Sequence, residues 1–130
     1  MSAAPAPGPS FPLILEALGP IMTALQEAGV RVYEDPKDVN PPCVYLAPPT
    51  LRFRFNRLDY ELDVALVICS SNTVKRAQYQ ELSDLLMTVQ AALGVPGVTA
   101  RPVDMWTADQ SALIGAYELT WTSTYKHRMR

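Results

Sequence analysis

The chain has 130 residues, of which 48% are hydrophobic and 18% charged, and its formal net charge is −2. That is the size of one domain with ample material for a core, which excludes wholesale disorder. The slightly acidic balance argues against a general nucleic-acid binder, which carries a strong basic excess.

Residues 1–9, MSAAPAPGP, are small and Pro-rich. They read as a flexible N-terminal arm, either solvated or draped over a neighbouring subunit. They have no basic leader, and their prolines interrupt any apolar run, so they do not read as a signal peptide. No apolar run in the chain approaches the roughly 20 residues of a membrane span, and a soluble, cytoplasmic protein is expected.

A single domain is expected over residues 10–125. Ser10 is placed to cap a helix whose apolar stripe is Phe11, Ile14, Leu15, Leu18, Ile21, Met22 and Leu25. Pro20 lacks a backbone donor and predicts a kink or a restart; Gly29 predicts a left-handed stop. Residues 30–33 then read as a short strand, 34–42 as a loop and 43–47 as a second strand ended by Pro48 and Pro49.

The stretch 51–64, LRFRFNRLDYELDV, predicts a hairpin bending at Arg57 and Leu58. Phe55 then faces Tyr60, Phe53 faces Leu62 and Leu51 faces Val64, while Arg54 meets Glu61 and Arg52 meets Asp63. Each apolar residue finds an apolar partner and each arginine a carboxylate, so a one-residue slip destroys both matches. The pairing also disfavours Asp59, Glu61 and Asp63 as a divalent-cation site. The second arm continues to residue 70, with Tyr60, Leu62, Val64, Leu66 and Ile68 facing the core. Val67 breaks the polar alternation and predicts cover on both faces there.

Residues 70–94 give the clearest helical period, with Val74, Gln78, Leu82, Leu85, Leu86, Val89 and Leu93 on one face, Asn72 or Thr73 as cap and Gly94 as stop. A strand follows over 95–108, its Pro102 implying an edge position or a bulge. Residues 109–115 read as a loop. The last strand, from 116, alternates Tyr117, Leu119, Trp121 and Tyr125 with polar residues. Residues 126–130 form a basic tail, either solvated or meeting an acidic neighbour or DNA. The fold class is therefore α+β: a mainly antiparallel β-sheet with a long β-hairpin and two amphipathic helices packed on one face.

Catalytic patterns are scarce. His127 is the one histidine and reads as a solvated surface residue. Cys43 and Cys69 lie 26 positions apart and read as small buried residues in a reducing compartment; nothing requires a disulfide. Six glycines form neither a dinucleotide fingerprint nor a phosphate loop. No catalytic residue, metal or cofactor is expected. Trp121 is expected in the core, while Trp106 reads as either core or the anchor of a subunit contact, where Trp is enriched.

The order LQEAGVRVYEDPKDVNPPCVYLAPP, FRFNRLDYELDVALVICSS, YQELSDLLMTVQAAL, GAYELTWTSTY resembles the tail-terminator proteins of long-tailed bacteriophages, over residues 18–125. The resemblance implies a structural virion protein without enzymatic activity. It would cap the tail tube, stop its polymerisation and present a joining surface to the head-proximal connector. It implies a homo-hexameric ring, with the tube protein and connector proteins as partners, and DNA passing through the lumen without specific binding. A weakly acidic lumen suits that passage, because a basic one would grip phosphates. A closed ring needs heterologous contacts. The residues expected to make subunit and tube contacts are Arg52, Arg54 and Arg57 on the hairpin, with Trp106 and Asp109 on the later loop. Arg57 has no expected cross-strand partner and stands first among them. The competing readings are a head-completion or neck connector protein, and a small-molecule-binding or enzymatic α+β domain.

Overall fold

A computed structural model describes residues 13–53, 59–106 and 111–126. Its elements are α1 (Leu13–Glu27), β1 (Val32–Tyr33), β2 (Cys43–Leu46), β3 (Thr50–Phe53), β4 (Asp59–Cys69), α2 (Lys75–Leu93), β5 (Thr99–Trp106) and β6 (Leu113–Lys126). One six-stranded sheet has the order β1-β2-β4-β6-β5, with β3 also paired to β4. All pairings are antiparallel except β1 with β2. The fold is thus the expected α+β arrangement.

The two faces of β4 divide the molecule. Leu62, Val64, Leu66 and Ile68 point to the helices and join Leu25, Val44, Leu82, Val89, Leu119 and Trp121 in the main core. On the opposite face Val67 and Cys69 pack with Val39, Cys43, Ile114 and Ala116 in a second, smaller cluster. The double cover expected at Val67 is therefore present. Val39, from the loop that joins β1 to β2, supplies part of it.

The hairpin register differs from expectation. Leu51 pairs with Leu62, Arg52 with Glu61 and Phe53 with Tyr60, so β3 lies two residues along from the expected alignment. The face-matching argument could not separate the two alignments, because side chains alternate with period two and a shift of two preserves every match. Upstream pairing decides it. Cys43 pairs with Cys69 and Leu46 with Leu66, and the ladder gains one unmatched residue between Leu46 and Thr50. That insertion coincides with Pro48 and Pro49, which cannot donate to a ladder. Phe53 is not core: it is 64% exposed and lies against buried Tyr60 with ring centroids 5.8 Å apart.

Four further details depart from the sequence reading. Helix α1 is continuous through Pro20 and does not restart there. Pro20 itself is exposed, while Ala17, Leu18 and Leu25 on the buried side anchor the turns before and after it. Ile14 and Leu15 are exposed rather than packed, because the first turn extends past the core. Helix α2 is not capped by Asn72 or Thr73; Val74 stands at that position without a side-chain hydrogen bond. Strand β6 begins at Leu113, since Leu113–Gly115 find partners in Trp106–Asp104. As expected, Gly29 and Gly94 are left-handed, and β5 with its Pro102 forms an edge of the sheet. Ser10, Phe11, the arm, His127 and the rest of the basic tail lie outside the described residues.

Candidate interaction surface

The sheet face away from the helices carries a polar region at the Asp59 end of β4. Arg52 forms ion pairs with Asp63 and, at 3.5 Å, with Glu61. Glu61 is its register partner, and Asp63 is reached diagonally. The Thr122 hydroxyl donates to the other oxygen of Asp63 at 2.7 Å. That bond, helped by Arg52 and opposed by partial desolvation, holds the Asp63 carboxyl below its ordinary pKa. The Asp63 bond and charge raise the Arg52 pKa in turn. One strand further on, Arg101 bonds Glu118 at 2.8 Å. These exposed pairs add little to stability.

Trp106 occupies the other end of the sheet. It is 56% exposed and lies directly opposite Leu113, which is 54% exposed. The two side chains share one face of the β5–β6 hairpin, beyond the reach of the helices. Beside them a cleft of about 250 Å³ is lined by Pro41, Ser70, Thr73, Ala112, Leu113 and Ile114. A second groove, of about 340 Å³, runs between α2 and the sheet and is lined by Ile68, Tyr79, Leu82, Ser83, Leu86 and Tyr117.

The segment joining β4 to α2, next to this cleft, is held by two side chains reaching back from the helix. The Glu81 carboxylate accepts from the Ser70 hydroxyl at 2.7 Å, the Ser71 N–H at 2.6 Å and the Ser71 hydroxyl at 3.1 Å. Burial pushes the Glu81 carboxyl up, but the bonds from Ser70, Ser71 and Asn72 outweigh it and hold its pKa below the ordinary value. Buried Gln78 donates to the Asn72 carbonyl at 3.0 Å. Gly115 is what admits Gln78, because a methyl group there overlaps the Gln78 carboxamide. These bonds fix the residues that precede α2, while the helix start itself has no side-chain cap. A polar residue on the apolar face of α2 was the only signal for them in the sequence.

The residues expected to form contacts are not brought together. Arg52 lies near one end of β4 and Trp106 beyond the other. Strand β4 has 11 residues, and at about 3.3 Å per residue the two regions are roughly 30 Å apart. Arg52 is already engaged within its own chain, whereas Trp106 presents its ring to the surroundings. Arg54, Arg57 and Asp109 lie outside the described residues. Among the described residues no group of three His, Cys, Asp or Glu side chains could hold a metal ion, and no helix is long and apolar enough to cross a membrane. No protein-family model matches the chain, and no curated protein matches it.

Proposed function

We propose that this chain is a structural virion protein: a ring-forming subunit that caps the head-proximal end of a phage tail tube, stops its polymerisation and presents the joining surface to the connector. In this reading it acts by shape, and assembles as a homo-hexamer around a lumen that DNA crosses without specific binding. The observation that carries the reading is the exposed Trp106–Leu113 pair at the end of the β5–β6 hairpin. A large aromatic and a leucine side by side in water are material for a desolvated contact, in which Trp is a frequent anchor. The charged region around Arg52, at the opposite end of the sheet, supplies a chemically different second surface. A subunit seated between a tube and a connector, and between ring neighbours, uses unlike patches of this kind.

The test is imaging of the purified chain with and without tail tubes. Rings, or tubes closed at one end, are the expected result. A stable monomer that leaves tubes uncapped and elongating overturns the reading. In particles lacking the protein, overlong tails are expected; tails of normal length that fail to join heads would indicate a neck protein instead.

A further inference from the structure

Cys43 and Cys69, distant in sequence, are direct register partners on β2 and β4. Both are free thiols without solvent exposure. The Ala47 N–H bonds the Ala65 carbonyl at 3.1 Å. Hydrogen-bonded and non-bonded pairs alternate along an antiparallel ladder, so the Cys43–Cys69 pair is of the hydrogen-bonded kind, with Cα atoms about 5.5 Å apart. That lies within the roughly 4.4–6.8 Å that a disulfide spans. The pair belongs to the second cluster, among Val67, Ile114 and Ala116. On the far side of Ala116, the Met105 sulfur lies 3.5 Å from the Cys69 sulfur. Ala116, on the strand between them, is small enough for this reach.

We propose that Cys43 and Cys69 form a reversible redox site, a cross-strand dithiol that a peroxide closes to an intrachain disulfide joining β2 to β4. The neighbouring Cys69 lowers the Cys43 pKa, while Cys43 and burial raise that of Cys69. In the oxidation that starts at Cys43, that thiol is the nucleophile. Its thiolate attacks one peroxide oxygen; the O–O bond breaks, hydroxide leaves and takes up the thiol proton as water, and Cys43 becomes a sulfenic acid. The Cys69 sulfur then attacks the Cys43 sulfur. An S–S bond forms, the S–O bond breaks, and the departing oxygen leaves as water with the Cys69 proton. Two thiols lose two electrons and one peroxide becomes two waters. The Cβ atoms of a directly opposed pair lie roughly 4.5–5.5 Å apart, wider than the about 3.8 Å a relaxed disulfide prefers, so thiols reopen the bridge readily. In a reducing compartment the pair stays open.

The inference stands apart from the tail-tube reading and fails or succeeds without it. The folded chain is treated with hydrogen peroxide, its remaining thiols are alkylated after denaturation, and it is digested with trypsin. Peptides 38–52 and 58–75 are expected joined, two hydrogens lighter than the sum of the free peptides, and separated again by dithiothreitol. Cys69→Ala, and Cys69→Val with its closer volume, are expected to leave peptide 38–52 unjoined while the chain keeps its far-ultraviolet spectrum. Thiols that stay unmodified, that advance to sulfinic acid without joining, or that join two different chains overturn the proposal.

Discussion

Trp106 and Arg52 show how differently two expected contact residues behave once folded. Arg52 has two carboxylates within reach, both supplied by its own hairpin partner strand. Its charge was legible in the sequence, and so was the pairing with Asp63, although the alignment that produces it was not. Trp106 was ambiguous in the sequence because a strand end gives no sign of where the helices stop covering the sheet. Its exposure separates surface function from stability. Trp106→Ala is expected to shift unfolding stability by no more than about 0.5 kcal/mol in chemical denaturation, as for ordinary surface positions, while abolishing the capping of tail tubes. A loss of fold in that variant would return Trp106 to a packing role.

Among the elements, α2 carries the clearest consequence. The segment before it is held by Glu81 and Gln78 reaching back to Ser70–Asn72, and the three bonds to Glu81 favour its ionised carboxylate. Its folded pKa is lowered, so the folded state binds that proton less readily than the unfolded chain does. The resulting stability is fully present above the unfolded group's usual 4.5 and is lost as pH falls through the lower folded value. Urea unfolding measured from neutral to acidic pH is expected to show this loss, and Glu81→Gln is expected to start less stable at neutral pH and to lose less on acidification. An unchanged pH slope in the variant would mean that the bonds do not form in solution. The alignment of β3 belongs to the same scale. Alternation along one hairpin fixes which face is apolar, but the position along the strand comes from β2, a different element.

The described residues form one sheet with helices on one face and a smaller apolar cluster on the other, and β4 serves both. Leu66 is fully buried in the main core, between β2 and β6. Leu66→Ala is expected to cost about 2–5 kcal/mol in urea unfolding, from lost burial and the cavity it leaves. A cost under about 1 kcal/mol would mean the centre of the sheet repacks freely. The length of β4 also separates the Trp106 and Arg52 regions, and this distance lets a single chain present two unlike surfaces.

Periodicity in the sequence determined the α+β class, the existence of the second helix, the core face of β4 and the double cover at Val67, because each follows from contacts a few residues apart or from one repeating pattern. Gly29 and Gly94 marked their helix ends for the same local reason. Only the tertiary structure decided that Cys43 meets Cys69, that Gly115 makes room for Gln78, that β3 slides by two residues and that Trp106 lies uncovered. Each of those depends on the alignment of segments far apart in the chain, and a side-chain repeat of two leaves that alignment open until a neighbouring strand fixes it.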